Sequence, residues 1–130
     1  MSSLAIPSLI TLAAVVLYQA TALMVGKARF EHKVKPPAIH GPEAFERVVR
    51  VQQNTLEQLV FFLPVFWLAT LQSQAAVAAV LGLVWVAGRI AYAVGYIASP
   101  EKRGPGFGIS ILSSLALLVM ALVGAIGQLL

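Results

Sequence analysis

Arg47, Arg50, Asn54 and Glu57 are spaced to share one face of a helix. At about 100° per residue they fall within about 80° of one another and extend roughly 15 Å along the axis. Gln53 lies at the edge of this stripe. Arg89, Tyr92 and Tyr96, spaced i, i+3 and i+7, form a second single-faced set. Arg29 and Arg103 stand at the matching ends of two further apolar runs. Guanidinium groups grip carboxylates through paired hydrogen bonds. A carboxylate such as Glu57 takes an ammonium group, and tyrosine rings close an apolar wall while their hydroxyls donate. The whole set suits a small zwitterion carrying several carboxylates. A plainer alternative exists for each member. Arginines near membrane helix ends snorkel to headgroups, and Glu57 would serve as the counter-ion of Arg50 or Arg89. Any one residue alone fits that alternative better; the convergent set does not.

Other chemistries find little support. The chain has no cysteine, so it offers no disulfide, thiolate metal site or thiol nucleophile. Any sulfur chemistry must come from a substrate. No aspartate is present to complete a Ser/His/Asp arrangement. His32 and His40 share one connecting segment without helical pair spacing, so no metal site is expected. SPEKRGPGFG lacks the Lys-Ser/Thr pair of a phosphate-binding loop.

The elements that must position these residues are membrane helices. The 130 residues are 59% hydrophobic and only 11% charged. Mean hydropathy is +0.88. A soluble domain carries about 25% charged residues, so this composition belongs in a bilayer. The net charge of +4 then reads as an orientation signal, and no nucleic-acid partner is expected. Four apolar runs cover 4–25, 55–71, 75–96 and 107–130. A span needs roughly 20 apolar residues, so the second run must start earlier, near Pro42 or Glu43. Pro42 suits a first helical turn, Glu43 and Glu46 favour the positive end of the dipole, and Pro64 should kink the helix. The first run lacks a basic leader and a cleavage site, so it is expected to stay as a helix. The fold class is all-α: one domain over 1–130, an integral membrane four-helix up-down bundle with helices at roughly 4–32, 43–71, 75–98 and 104–130.

All nine basic residues fall on the side of the first and third connections. The positive-inside rule puts those connections in the cytoplasm and both termini on the opposite side. Gly82, Gly88, Gly95, Gly124 and Gly127 allow close packing, either within a subunit or between subunits. Trp67 and Trp85 read equally as interfacial anchors or as packing residues.

FERVVRVQQNTLEQLVFFLP and GRIAYAVGYIASPEKRG, with the preceding KARF and PPAIHGP, resemble the MAPEG family, the membrane-associated proteins in eicosanoid and glutathione metabolism. The resemblance runs from about Lys27 to Arg103 and leans toward the branch of microsomal glutathione transferases 2 and 3 and leukotriene C synthase. It implies a homotrimer binding glutathione as co-substrate between subunits, near the cytoplasmic side. Carried over, Arg50, Asn54 and Glu57 hold the γ-glutamyl end beside Tyr92, while Arg29 and Gln52 face the glycyl carboxylate. Arg89 and Tyr96 belong to the same glutathione-binding layer. Arg103 matches the arginine that stabilises the glutathione thiolate, the one catalytic role implied. Gln58 stands where leukotriene C synthase has tyrosine, and Phe30 follows Arg29 where a second basic residue is expected. Both departures point away from a dedicated leukotriene synthase, and PEKRG and GRIAYAVGY look most like type 3 transferases.

The expected function is therefore glutathione transfer or peroxidase activity on a lipophilic electrophile or lipid hydroperoxide arriving from the membrane lipids. A bacterial inner membrane is the expected location, with the endoplasmic reticulum as the alternative. Two rivals stand beside this reading. One is a non-catalytic lipid-binding relative, which need not retain the Arg, Asn, Glu and Tyr stripe with Arg103. The other is a small four-helix multidrug transporter, for which Glu57 is the single candidate proton carrier.

Overall fold

Proline, glycine and short polar segments interrupt the chain where its apolar periodicity breaks, and the helices lie between them. In the computed structural model, which describes residues 4–130, α1 spans Ala5–His32, α2 Glu43–Gln72, α3 Ala75–Ala98 and α4 Gly104–Gly127. A short 3-10 helix, Pro100–Arg103, leads directly into α4. Residues 1–3 of the expected domain lie outside the described residues. No strand occurs among the described residues, and the fold is an all-α four-helix bundle.

Local chemistry accounts for the helix ends. Lys33 closes α1 in the left-handed region, at φ 56°, and the Val34 amide donates to the Arg29 carbonyl at 3.0 Å. The Pro42 carbonyl accepts from the Phe45 and Glu46 amides at 2.9 and 3.1 Å, so α2 starts one residue after the proline. The Glu46 carboxylate reaches back to the Gly41 amide at 3.0 Å. At the far end of α4, Gln128 and Leu129 donate three residues back, to Ala125 and Ile126, and the helix unwinds after Gly127.

All four helices are long and apolar enough to cross a membrane. At 1.5 Å per residue, the 30 residues of α2 reach about 45 Å, against roughly 30 Å of hydrocarbon. The surplus lets the polar start of α2 stand at the interface.

The core sits in the middle of the bundle. Phe62 stacks on Trp85 at a 4.0 Å centroid distance and on Phe66 at 5.3 Å. Ala14, Ala69, Ala78 and Leu117 fill the space around these rings. Trp85 is thus a core residue, and Trp67 donates to Thr11 across α1 and α2 at 2.9 Å. A second cluster, Val25, Ala28, Phe45 and Val49, fastens the end of α1 to the start of α2. The third, Val51, Tyr92 and Ala93, joins α2 to α3 beneath the polar end. Four of the five glycines singled out above pack within the subunit. A Cβ on Gly82 would meet Phe66, on Gly88 Ile109, on Gly95 the Lys102 carbonyl, and on Gly124 the Gln72 carbonyl. Gly127 has open space. Large apolar side chains from every helix, Leu23, Val60, Val94 and Leu112 among them, cover the outer surface. Such a surface is stable in lipid or against another copy.

Candidate functional site

Four elements meet at the polar end of the bundle. Arg50 and Asn54 come from α2, Tyr92 and Tyr96 from α3, and Arg103, Gly104 and Phe107 from the 3-10 helix and α4. Together they line a cleft of about 440 Å³. The close approach of α4 to α3 builds it. Gly106 sits so near Tyr92 that a Cβ there would strike the Tyr92 backbone nitrogen and the Gly88 carbonyl. Gly95 admits the Lys102 carbonyl in the same way. Glycine at both points lets the Pro100–Arg103 turn fold tightly over α3, which carries Arg103 to the cleft.

The aromatic wall is ordered by its own contacts. Tyr92 and Tyr96 meet edge to face at 5.6 Å, and Tyr92 meets Phe107 at 6.1 Å. The Arg103 guanidinium lies 5.6 Å from the Tyr96 ring centroid and donates to the Pro100 carbonyl at 2.8 Å. Arg103 and Arg50 remain exposed, whereas Asn54 is buried and its side-chain oxygen has no hydrogen-bond partner among the described residues. Among the described residues, neither Arg50 nor Arg103 forms a salt bridge. Two exposed cations and a buried acceptor therefore face one space.

A second cleft of about 360 Å³ adjoins the first and shares Arg50 and Tyr96 with it. His40, Glu43, Glu46 and Arg47 form its polar rim. Arg47 is committed to the scaffold: its Nε donates to the Ile97 carbonyl at 3.3 Å, and its Nη1 lies 3.3 Å from Glu43.

The remaining sequence-derived residues lie elsewhere. Glu57 is exposed one turn further along the α2–α4 seam, with Phe61, Ile111 and Ser114, in a groove of about 270 Å³. It forms no salt bridge with Arg50 or Arg89. Arg29 lies on the opposite side of α2, where its Nη1 donates to the Ala38 carbonyl at 2.6 Å and its guanidinium sits 5.4 Å from the Phe45 ring. Gln52 is half-buried and lines none of these clefts. Two residues separate it from Asn54, which turns it about 160° away around the helix. Arg89 is fully buried behind the wall, 4.1 Å from the Tyr92 ring centroid, and its Nη2 donates to the Thr55 hydroxyl at 2.9 Å. Thr55, Gly106 and Phe107 carry parts of this architecture that residue spacing does not single out. Their signal lies in adjacency: Thr55 follows Asn54, and Gly106-Phe107 follow the Arg103 turn.

The model of the MAPEG family matches residues 7–123. An uncharacterised protein of Synechocystis is 51% identical over 123 residues, covering 95% of this chain and 90% of the relative. Microsomal glutathione S-transferase 2 of Homo sapiens is 46% identical over 106 residues, 82% of this chain and 70% of the relative. Leukotriene C4 synthase of Cavia porcellus is 35% identical over 119 residues, 92% and 79% of the two chains. The matched region takes in the whole cleft and the greater part of every helix, and the chain belongs to the MAPEG family as an integral membrane protein of four helices.

Proposed function

We propose that this protein is a membrane glutathione transferase that also reduces lipid hydroperoxides. The observation that carries the reading is the convergence of Arg50, Asn54, Tyr92, Tyr96 and Arg103 on one cleft at the polar end of the bundle. The name of the human relative, a microsomal glutathione S-transferase, supports the glutathione-transfer half of this reading. Glutathione enters from the cytoplasmic, positively charged end. Arg50, Asn54 and Glu57 take its γ-glutamyl group, with Tyr92 and Tyr96 as the wall.

Arg29 and Gln52 hold the glycyl carboxylate from a neighbouring copy. The placement of the two sets on opposite sides of α2 supports this division. A single tripeptide reaches both only across a subunit boundary, which favours an oligomer, proposed as the homotrimer. The Synechocystis relative favours a bacterial membrane.

A free thiol has a pKa of roughly 8.5, so only a few per cent is ionised at pH 7. The Arg103 guanidinium favours the anion. The thiolate sulfur then attacks an electrophilic carbon: an S–C bond forms, and the leaving group departs with its electron pair. On a lipid hydroperoxide the sulfur attacks the terminal oxygen. The O–O bond breaks, and the alkoxide takes a proton to become an alcohol. The glutathione sulfenic acid reacts with a second glutathione thiol, giving disulfide and water.

Stopped-flow ultraviolet absorbance tests this reading. Wild-type protein should show a thiolate signal on mixing with glutathione. Arg103→Ala should lose most of that signal and of the turnover while retaining much of the affinity. Full signal and full activity in the variant would remove Arg103 from the chemistry.

A further inference from the structure

Arg89 is fully buried, nine residues from the end of α3 and so about 14 Å along the helix from it. It has no salt bridge among the described residues, and its Nε and Nη1 lack hydrogen-bond partners. An uncompensated guanidinium inside a membrane bundle is costly, and an apolar residue of the same length would pack there without that penalty. Stability does not account for the charge. Two contacts hold it in place, the Thr55 hydroxyl at 2.9 Å and the Tyr92 ring at 4.1 Å. Thr55 is fixed in turn by its own bond to the Val51 carbonyl at 2.7 Å. Tyr92 lines the cleft, and Thr55 follows Asn54, which also lines it.

The buried cation therefore stands one ring behind the cleft wall, with its position fixed from two sides. A group resting on the front of the Tyr92 ring would lie on the order of 8 Å from the guanidinium, the observed stacking distance plus one van der Waals contact. A charge shielded from water acts over that distance with little screening, unlike the exposed Arg103.

We infer that Arg89 is a positioning residue that does not touch glutathione: its buried charge, acting through the Tyr92 wall, favours an anionic sulfur in the cleft. This rests on the glutathione reading above. Arg89 supplies a constant field, while Arg103 supplies direct contact from a solvent-exposed turn.

The test uses the full-length protein in lipid with Arg89→Met, Arg89→Gln and Arg89→Lys. Gln keeps a donor for Thr55 and so covers the case in which Met does not fold. Three quantities are measured: glutathione affinity, thiolate absorbance against pH, and the unfolding temperature. Both neutral variants should need higher pH to form thiolate, with on the order of tenfold less of it at pH 7. Glutathione affinity measured well below the pKa of the bound thiol, where the neutral thiol is the species that binds, should stay within about threefold, since no ligand contact is removed. Lys should restore most of the thiolate, whatever it does to the unfolding temperature. An unmoved pH profile in a folded neutral variant overturns the inference, even with a lowered unfolding temperature. So does a profile shift that Lys fails to rescue, or a large loss of affinity with the profile unmoved. No thiolate in the wild type overturns the glutathione reading itself, and this inference with it.

Discussion

At the residue scale, the proposed function assigns binding and activation to different residues of the cleft. Arg50, Asn54 and Glu57 follow one another along the α2–α4 seam, and among the described residues none of the three is engaged by a salt bridge. A hydrogen bond to a charged group contributes about 1.5–3 kcal/mol. Arg50→Ala or Glu57→Gln should therefore weaken glutathione binding about ten- to a hundredfold in calorimetry, without moving the pH at which thiolate forms. Unchanged affinity in both variants would remove these residues from the pocket. Helical spacing alone gathers the α2 and α3 faces, so Arg50, Asn54, Tyr92 and Tyr96 were legible as a set in the sequence. The same spacing groups Arg89 with the two tyrosines yet says nothing of its depth. Depth depends on how α3 is rotated against α2, which Val51, Tyr92 and Ala93 decide by packing.

At the element scale, the contact between α3 and α4 sets the site's dimensions. Gly106 lies against the Tyr92 backbone, while Gly108, one residue beyond the next, has open space around a notional Cβ. Gly106→Ala should destabilise the protein by about 1–3 kcal/mol through overpacking and displace Arg103 from Tyr96. Gly108→Ala should be close to neutral. Thermal unfolding and thiolate absorbance of the pair provide the comparison, and equal behaviour would refute the packing account. Helix number and approximate ends were legible because apolar runs and proline–glycine breaks mark them. The 3-10 helix was not, since PEKRG reads only as a turn. Its form depends on Gly95 accepting the Lys102 carbonyl, a contact between elements that no local pattern encodes.

At the scale of the whole molecule, the opposed faces of α2 make oligomerisation testable by complementation. Arg29→Ala subunits keep an intact cleft, and Arg103→Ala subunits keep Arg29. Co-assembled in a closed trimer in equal amounts, they should regain about a quarter of wild-type activity, from the composite sites formed at mixed boundaries. Activity no higher than that of the separate variants would place both residues in one subunit's site. Composition made the membrane class legible, and the charge distribution marked one end of the bundle as the polar one. Neither discloses which helix faces meet lipid and which meet a second copy, because both surfaces are apolar.

The groove beside Glu57 bears on how the reaction should be measured. Phe61 and Leu115 are exposed at its rim on the apolar outer surface, while the cleft above opens among arginines. On the proposed function, the two co-substrates approach from different phases. For the oil-soluble one, the effective concentration is its mole fraction in the bilayer, not its amount per volume of assay. Adding inert lipid should raise its apparent KM in proportion, by surface dilution, and leave the KM for glutathione unchanged. Rates compared between preparations of different lipid content would then differ with no change in the protein at all.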